Sequence, residues 1–418
     1  MAIDTASSDR RQRRYAFVCP RFGEGVIGGE VTLISQLASQ LVKRGNPVEV
    51  LTTCAKDNRT WENEYAEGQD LAFGVPVSRF KVDERDLEVW IPRQISISEG
   101  MNLSLEDQLL WMQHSVNSSA LYRYILQVAD SFDAIFFIPY LFGTTFWGSL
   151  LRPDKSYLIP CLHDESYAYT DVVASMFRQV CGAIFNAAPE QELANRLYGT
   201  IRGGAVGMGF VPPSEEEVAA LTPYFEEHFP YIVYVGRKET GKNAHLLIDY
   251  FMESKDTATL PSNLKLVIAG GGSFSDLNRP AALERDDILD VGHLSEVDKK
   301  RVIKYAHALC QPSLNESFSI VLMEAWLLGT PIIVHADCEV TRYQATRSGG
   351  GLYFSSAKEF GGVASKICQD QDLREKMAAA GEKYVLTEYN WDSVIERFDN
   401  VMDSFLLPVE SEKTESLE

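Results

Sequence analysis

Short apolar runs and longer segments of helical periodicity alternate along most of this chain. Apolar runs such as Tyr15–Cys19 and Tyr231–Val235 predict buried strands, and each is followed by a glycine-bearing turn and a helical pattern. Strands and helices in this order are typical of parallel sheets covered by helices on both faces. The order begins at Tyr15 and restarts at Tyr231, so the pattern predicts two doubly wound α/β domains.

The other predicted elements follow the same pattern. Further strands are predicted at residues 47–52, 77–81, 134–138, 156–159, 183–186, 264–269, 288–292, 309–311 and 331–334. Helices are predicted at 31–44, 105–116, 121–129, 140–151, 172–181, 189–197, 296–306, 319–328, 374–386 and 391–406. The rest of 56–120 is irregular and rich in charge, and no chemistry is assigned to it.

Changes in composition predict the domain boundaries. They give a polar leader at 1–14, a first domain at 15–213, a linker at 214–229, a second domain at 230–390, a final helix at 391–406 and an acidic tail at 407–418. The leader ends in RRQRR, which could touch anionic lipid but is more simply a solvated segment. The tail is expected to be disordered because it is short and highly charged.

The formal net charge of −20 argues against broad nucleic-acid binding, which needs a basic face. No apolar run reaches the ~18 residues that span a bilayer, and the start of the chain lacks a secretory pattern. We therefore expect a cytoplasmic protein, and contact with the inner face of a membrane is left open. The seven cysteines never fall in a CxxC spacing, so we expect reduced core residues.

The segment PSLNESFSIVLMEAWLLGTP, residues 312–331, is the most informative part of the chain. Its helical part is apolar on every side except at Glu324, and a carboxylate in a buried helix needs a partner. Glu316 lies eight positions earlier, where the helix should begin and where free N–H groups attract anions. A sugar joined to a nucleoside diphosphate offers both phosphates and hydroxyl pairs to such a segment. The alternative is a buried helix whose Glu324 pairs with an arginine elsewhere.

Two cations follow the first strand of the second half. Arg237 and Lys242 lie five positions apart in the turn GRKETGKN, where together they could clamp a diphosphate. A solvated turn could carry the same charges. After the next strand, the glycines at 270–272 would let a nucleotide approach the backbone, although a plain loop explains them nearly as well.

The first half also places candidate residues beside its strands. His163, Asp164 and Glu165 follow a strand, where open α/β sheets bind ligands and where a histidine can polarise a sugar or phosphate. Acids at the start of a helix, however, are favourable without any function. Gly28 and Gly29 could admit a ligand at a helix N-terminus, or could pack the helix on its strand. This turn does not match GxGxxG, so a dinucleotide fingerprint is not met.

Taken together, these residues resemble the retaining glycosyltransferases of family 4, which have the GT-B fold. The carboxylate pair Glu316 and Glu324 is the most specific part of the match, supported by the VGR turn at 235–237, by Lys242 and by the HDE at 163–165. The resemblance covers most of the chain. It implies two Rossmann-like domains facing each other across a cleft, with the nucleotide-sugar donor in the C-terminal domain and the acceptor in the N-terminal one. The final helix is expected to cross back onto the first domain.

The resemblance also implies a role for each site residue. Arg237 and Lys242 would neutralise the leaving diphosphate. Glu316 would bind the hydroxyls of the donor sugar, and His163 would contact the transferring sugar. Glu324 would hold the ribose diol. The expected donor-binding residues are Gly28, Gly29, Gly236, Gly270, Gly271, His293, Leu294, Ser317, Phe318, Ser319, Ile320, Val321 and Glu324.

One departure from the family pattern concerns the donor. The family usually has glycine on both sides of this phenylalanine, whereas this chain has Ser317 and Ser319 around Phe318. The N–H of Ser319 can still bind an anion, but a narrower sugar pocket is expected. The donor sugar and its base, UDP or GDP, are therefore left open.

The resemblance implies transfer with retention and without a metal or cofactor, since fixed cations would stabilise the leaving group. Asp370 and Asp372 match the DxD metal signature of another glycosyltransferase architecture, but they begin a predicted helix, where aspartate is a common N-cap. The acceptor (a glycan, a lipid-linked molecule or a small molecule), a role in polysaccharide biosynthesis and the oligomeric state are left open. Two alternatives are a nucleotide-sugar epimerase of the same fold and a non-catalytic nucleotide-sugar-binding partner of another transferase.

Overall fold

The computed structural model describes residues 12–405. The predicted leader at 1–14 lies mostly outside this range, and the predicted tail at 407–418 lies wholly outside it. The chain divides into two compact units. The first unit runs to Asn186 and includes Gln191–Val206 and the residues from Ile395 onward, and the second comprises Ala187–Glu190 and Gly207–Val394.

An eight-stranded sheet forms the centre of the first unit. Its strands are β1 (Tyr15–Cys19), β2 (Val48–Thr53), β3 (Gly68–Ala72), β4 (Val75–Phe80), β5 (Ala134–Phe137), β6 (Ser156–Leu158), β7 (Gly182–Phe185) and β8 (Gly203–Ala205). The order is β3-β4-β2-β1-β5-β6-β7-β8, and β3 alone pairs antiparallel, with β4. The helices in this part of the chain are α1 (Gly29–Lys43), α2 (Leu87–Ser98), α3 (Leu105–Gln113), α4 (Ser119–Val128), α5 (Gly143–Leu151), α6 (Asp171–Gln179) and α7 (Ala188–Tyr198).

A six-stranded, fully parallel sheet forms the centre of the second unit. Its strands are β9 (Tyr231–Val235), β10 (Lys265–Ala269), β11 (Ile288–Gly292), β12 (Ala308–Gln311), β13 (Ile332–His335) and β14 (Gly351–Phe354), in the order β11-β10-β9-β12-β13-β14. The helices are α8 (Glu215–Ala220), α9 (Ala244–Asp256), α10 (Glu296–Lys304), α11 (Ile320–Leu327), α12 (Glu339–Ser348), α13 (Ala357–Gln369), α14 (Gln371–Glu388) and α15 (Trp391–Ser404).

The central strands are apolar because helices cover both faces of each sheet. β1 is buried at all its positions, and β9 is buried at all but its last. This uniform burial is the expected pattern of parallel strands in a doubly wound sheet. The predicted α/β architecture, with one such sheet in each half of the chain, is confirmed.

The structure also contains elements that the hydrophobic pattern did not reveal. β3 is exposed at four of its five positions and so shows no apolar run. α2 contains Pro92, a residue that normally interrupts helices. α8 lies inside the predicted linker at 214–229, where Ser214 and Glu217 form a capping box. α12, β14 and α13 were also not predicted.

Three further observations bear on the sequence-based expectations. α15 ends at Ser404 rather than 406, and its residues from Ile395 group with the first unit. None of the helices between residues 12 and 405 combines the length and the apolar character that crossing a membrane requires. All seven cysteines are free thiols.

Trp326 fixes the position of α11, the helix of the apolar segment. The indole is fully buried, and its N–H donates to the carbonyl oxygen of Gly350 at 2.9 Å. α14 packs on the ring at Gly381, where a Cβ would come within 2.1 Å of the indole Cδ1. Only glycine lets α14 approach this closely.

We expect Gly381→Ala to lower the free energy of unfolding by about 1–3 kcal/mol, because the added methyl must displace Trp326 or α14. Gly362→Ala is the matched control, since Gly362 lies in α13 with nothing within 4 Å of a Cβ. That control should raise stability by about 0.5–1 kcal/mol through helix propensity. Chemical denaturation measures both, and equal stabilities would contradict the packing account.

Candidate functional site

The strand order of the second sheet reverses between β9 and β12. The chain continues from β9 to β10 and β11 on one side and from β12 to β13 and β14 on the other. Loops at such a reversal separate and leave a crevice at the carboxyl ends of the strands, where open α/β sheets bind their ligands. The loop after β9 holds Arg237 and Lys242, and the loop after β12 holds Glu316. Three of the predicted site residues therefore meet at the reversal point.

An ion pair joins these two loops. Lys242 Nζ lies 2.8 Å from Glu316 Oε1, and the two side chains are only 25% and 11% exposed. Asn243 Nδ2 donates to the carbonyl oxygen of Pro312 at 3.2 Å, which ties the same loops a second time. A cation and a carboxylate that are 74 positions apart in sequence thus meet in one partly buried contact.

Arg237 is the more exposed of the two predicted cations. Its Nη2 lies 3.0 Å from Glu239 Oε1, and 59% of its side chain is exposed. Its carbonyl oxygen accepts a hydrogen bond from the hydroxyl of buried Tyr234 at 2.7 Å. The backbone of the loop is therefore held, while the guanidinium can turn toward a ligand because an exposed ion pair costs little to break.

Lys238, between these residues, was missed by the sequence reasoning. Its side chain is buried, and Nζ donates to the carbonyl oxygen of Gly270 at 2.6 Å and lies 3.0 Å from Asp290 Oδ1. A buried ammonium needs partners of this kind. Lys238 therefore pins the glycine loop after β10 beside the loop after β9. Nothing in the local pattern distinguishes it from its exposed neighbours.

The glycines at the ends of β9 and β10 divide into two kinds. Gly270 has φ 132°, and a Cβ there would lie 1.9 Å from the carbonyl oxygen of Gly236. Close approach of the two strand ends therefore explains Gly270 without a ligand. Gly271 has nothing within 4 Å of a Cβ, so it stays a candidate for ligand contact.

α11 begins beside the ion pair. Its N-cap, Ser319, has φ 69° and ψ 79° and makes no side-chain capping hydrogen bond. The first-turn N–H groups of Ile320 and Val321 have no acceptor within the helix and can meet an anion. Phe318 is buried, with its ring stacked on that of Phe210 at 6.1 Å between centroids. The Phe318 side chain therefore anchors the loop, and only its backbone is placed to meet a ligand.

The remaining expected donor contacts lie at the same edge of the sheet. Ser317 is half-buried in the loop after β12. His293 is exposed and Leu294 half-buried in the loop after β11, the edge strand. These two residues lie three strands from β12 along the sheet, so a ligand that touches them and Ser317 must extend across the carboxyl edge.

Glu324, one turn into α11, pairs with a lysine of α10. Lys299 Nζ lies 2.9 Å from Glu324 Oε1 and 2.8 Å from Glu296 Oε2. Burial raises the pKa of Glu324, and the positive charge of Lys299 opposes that rise. The alternative interpretation was right that Glu324 needs a partner, but the arginine it named is wrong. Because 27% of the Glu324 side chain stays exposed, the pair leaves room for a ligand contact.

In the first unit, His163 follows β6 and faces a carboxylate. His163 Nδ1 lies 3.5 Å from Glu165 Oε1, and the same oxygen accepts a hydrogen bond from the hydroxyl of buried Tyr140 at 2.7 Å. A carboxylate at Nδ1 orients the ring and leaves Nε2 for a substrate. Asp164 pairs with Arg196 at 2.6 Å. Glu165 is the N-cap of a short 3-10 helix, and its side chain makes no capping hydrogen bond there.

Gly28 and Gly29 lie at the corresponding reversal of the first sheet, between β1 and β5. The atoms nearest to a Cβ on Gly28 are the carboxylate oxygens of Glu30, at 2.5 Å, and nothing lies within 4 Å of one on Gly29. Nearly buried Arg21 holds Glu30 at 2.9 Å. Helix-on-strand packing therefore does not require glycine at position 29. At position 28 the nearest neighbour is the Glu30 side chain and not the backbone of a strand.

The DxD pair has a structural role. Asp370 caps α14 by accepting a hydrogen bond from the N–H of Leu373 at 3.0 Å, and it pairs with Lys366 at 2.8 Å. The N-cap interpretation is confirmed. Residues 12–405 contain no group of three or more His, Cys, Asp or Glu side chains placed to hold a metal ion.

Several solved structures share this architecture. Sucrose-phosphate synthase from Thermosynechococcus elongatus gives a TM-score of 0.67 at 16% identity, covering 94% of this chain and 99% of that one. An α,α-trehalose-phosphate synthase from Burkholderia vietnamiensis gives 0.71 at 10%, covering 94% and 100%. Anabaena HepE in complex with UDP and glucose gives 0.66 at 13%, covering 94% and 100%. These likenesses establish the fold, which is GT-B.

Residues 223–384 match the family model described as glycosyl transferases group 1, in agreement with the resemblance seen in the sequence over this part of the chain. An uncharacterized glycosyltransferase of Methanocaldococcus jannaschii is 26% identical over 176 residues, covering 41% of this chain and 44% of that protein. Phosphatidyl-myo-inositol mannosyltransferase of Mycobacterium leprae is 27% identical over 181 residues, covering 41% and 46%. This chain thus spans less than half the length of these curated relatives. Membership of family 4 stays a prediction.

We expect Lys299→Met to lower the free energy of unfolding by about 1.5–3 kcal/mol, because Glu324 loses its charged partner. Without Lys299 the pKa of Glu324 rises further above its unfolded value. A carboxyl group whose pKa is higher in the folded than in the unfolded state takes up a proton on folding. The variant therefore keeps its stability at pH values below the unfolded pKa of Glu324 and loses stability as the pH rises through the folded pKa. Denaturation at pH 5 and pH 8 should show the larger loss at pH 8. Adding Glu324→Gln should restore most of the stability, and no recovery would contradict the pairing.

Proposed function

We propose that this protein transfers a sugar from a nucleoside-diphosphate sugar to an acceptor, with the donor bound at the carboxyl edge of the second unit's sheet. The observation that carries the proposal is the Lys242–Glu316 pair at the strand-order reversal. It brings together a cation that can bind phosphate and a carboxylate that can bind hydroxyls, where open sheets bind ligands. The match to glycosyl transferases group 1 over residues 223–384 supports the same activity.

The diphosphate and the sugar and ribose hydroxyls of the donor each find suitable groups in this site. Arg237 and Lys242 carry the positive charge that a departing diphosphate needs, and the first-turn N–H groups of α11 add hydrogen-bond donors. Glu316 can accept from hydroxyls of the sugar, and Glu324 from a ribose diol. Fixed cations of this kind can replace a divalent ion, so we propose transfer without a metal.

Donor binding would exchange the partners of one ion pair. Without donor, Glu316 accepts from Lys242 at 2.8 Å. A diphosphate would offer Lys242 a more negative partner, and Glu316 would then be released to accept from sugar hydroxyls. Diphosphate and sugar recognition are therefore linked through Lys242, and a nucleoside diphosphate alone would compete with Glu316 for the ammonium.

The acceptor half of the proposal rests on the first unit. Glu165 orients the His163 ring, and we propose that His163 contacts the transferring sugar through Nε2. We propose retention of anomeric configuration, which follows from the resemblance to family 4. A cytoplasmic location, with or without contact at the inner face of a membrane, belongs to the same proposal. HepE, crystallised with UDP and glucose, makes UDP and its sugars the first ligands to test, and GDP is the other nucleotide that the sequence left open.

A thermal-shift panel of nucleoside diphosphates and their sugars, with and without magnesium, tests the proposal. We expect one nucleotide to raise the melting temperature to the same extent in both conditions. That result would name the base and support the metal-free site. No shift with any nucleotide would contradict the proposal. Free nucleoside diphosphate and an epimeric sugar formed without acceptor would favour the epimerase.

We expect Glu316→Gln to cut transfer by more than about tenfold, because the sugar loses its charged acceptor. Nucleoside diphosphate should bind as well as before or more tightly, since Lys242 is released and a repelling carboxylate is gone. Calorimetric titration and a transfer assay separate the two effects. Glu253→Gln, at an exposed position of α9, is the matched control and should leave both within about twofold. Equal losses of binding and transfer in Glu316→Gln would rule out its assigned role.

Lys242→Ala should weaken the binding of nucleoside diphosphate by about tenfold or more, because a charge-assisted contact is lost. The free nucleoside should bind as it does to the unmodified protein. Titration with both ligands makes the comparison. An unchanged diphosphate affinity would remove Lys242 from the proposed clamp.

A further inference from the structure

Ser319 has a backbone conformation that serine rarely adopts. Its φ of 69° and ψ of 79° lie in the left-handed region. In this region the Cβ of an L-residue crowds its own backbone, and glycine is the residue that avoids the crowding. The backbone conformation of Ser319 therefore destabilises the N-cap of α11, and a glycine at this position would remove the strain.

The hydroxyl of Ser319 adds a second unfavourable term. The residue is 7% exposed, and Oγ has no hydrogen-bond partner among the residues that the structure describes. Oγ also does not cap α11, although serine at an N-cap usually does so. A buried hydroxyl without a partner destabilises the fold, because it loses water and gains nothing in return.

The strained backbone and the buried hydroxyl both belong to Ser319, which lies at the start of α11 beside the proposed donor site. Ser319 stands three residues after Glu316, at the N-terminus of the eight-residue helix α11. The N–H groups of Ile320 and Val321 begin the helix at the same end. This end carries the positive pole of the helix dipole, so the surroundings of Oγ favour an anion.

We propose that Ser319 Oγ donates a hydrogen bond to a phosphate oxygen of the bound nucleoside diphosphate, and so sets donor affinity at the expense of stability. The inference rests on the proposed function and deepens it. A phosphate oxygen is the suitable acceptor because Oγ and the adjoining N–H groups are all donors at this helix end. Glu316, an acceptor, is left for the sugar hydroxyls.

Two variants of the full chain separate the two penalties. Ser319→Gly removes both the strain and the hydroxyl, and should raise the ligand-free melting temperature by about 2–4 °C. Ser319→Ala keeps the strain and removes only the hydroxyl, so its melting temperature should rise less. Both variants should bind the nucleoside diphosphate about 5- to 20-fold more weakly, and both should bind the free nucleoside as the unmodified protein does.

Ser356→Ala is the matched control. Ser356 is also an N-cap serine of the second unit, but its hydroxyl accepts from the N–H of Glu359 at 3.3 Å. This variant should lower the melting temperature through loss of the cap and leave the diphosphate affinity unchanged. The opposite signs of the stability changes distinguish a paired cap from the unpaired Ser319 hydroxyl.

Calorimetric titration decides between the outcomes. Weaker diphosphate binding in both Ser319 variants, with unchanged nucleoside binding, would support the inference. Diphosphate binding within about twofold of the unmodified protein in Ser319→Ala would overturn it, and so would an equal loss of nucleoside binding. If the unmodified protein binds no nucleoside diphosphate, the proposed function fails, and this inference fails with it. If it binds one and the Ser319 variants bind equally well, only this inference fails.

Discussion

Opposite charges on Lys242 and Glu316, held 2.8 Å apart, join the two loops at the reversal of the second sheet. Both groups are partly withdrawn from water, so each would be costly if left unpaired. Without donor they satisfy each other. A diphosphate that takes Lys242 releases Glu316 for hydroxyls, and a single exchange of partners then serves both halves of a nucleotide sugar. The pairing requires that the two loops keep a fixed separation.

The surrounding packing supplies that separation. Lys238 is buried against the carbonyl oxygen of Gly270 and joins the loops after β9 and β10. Asn243 bonds to Pro312 and joins the loops after β9 and β12. Trp326 fixes the axis of α11 through Gly350, and α14 approaches it because position 381 has no side chain. These contacts are buried or partly buried, and together they support the crevice from the sheet side.

The candidate site also contains groups that lower the stability of the folded protein. Burial raises the pKa of Glu324, whose charge is kept in place by Lys299. Ser319 combines a left-handed backbone with a hydroxyl that has no hydrogen-bond partner within residues 12–405. Local costs of this kind persist where function selects for them, because neighbouring packing offsets the loss. In this protein they cluster on the start of α11, whereas the strands beneath are uniformly apolar.

The sequence alone determined the two mainly parallel sheets, the apolar helix with Glu324 and the approximate position of Glu316, Arg237 and Lys242. The hydrophobic pattern reports how each residue is buried within its own element, and buried parallel strands show it clearly as continuous apolar runs. Exposed β3 and proline-bearing α2 lack the signal and were missed. Only the tertiary structure decided that Lys242 meets Glu316, that Lys299 rather than an arginine neutralises Glu324, and that Lys238 is buried. The partner of each charged side chain depends on the strand order and on which loops the fold brings together from distant parts of the chain. A local sequence pattern contains no information about such long-range contacts.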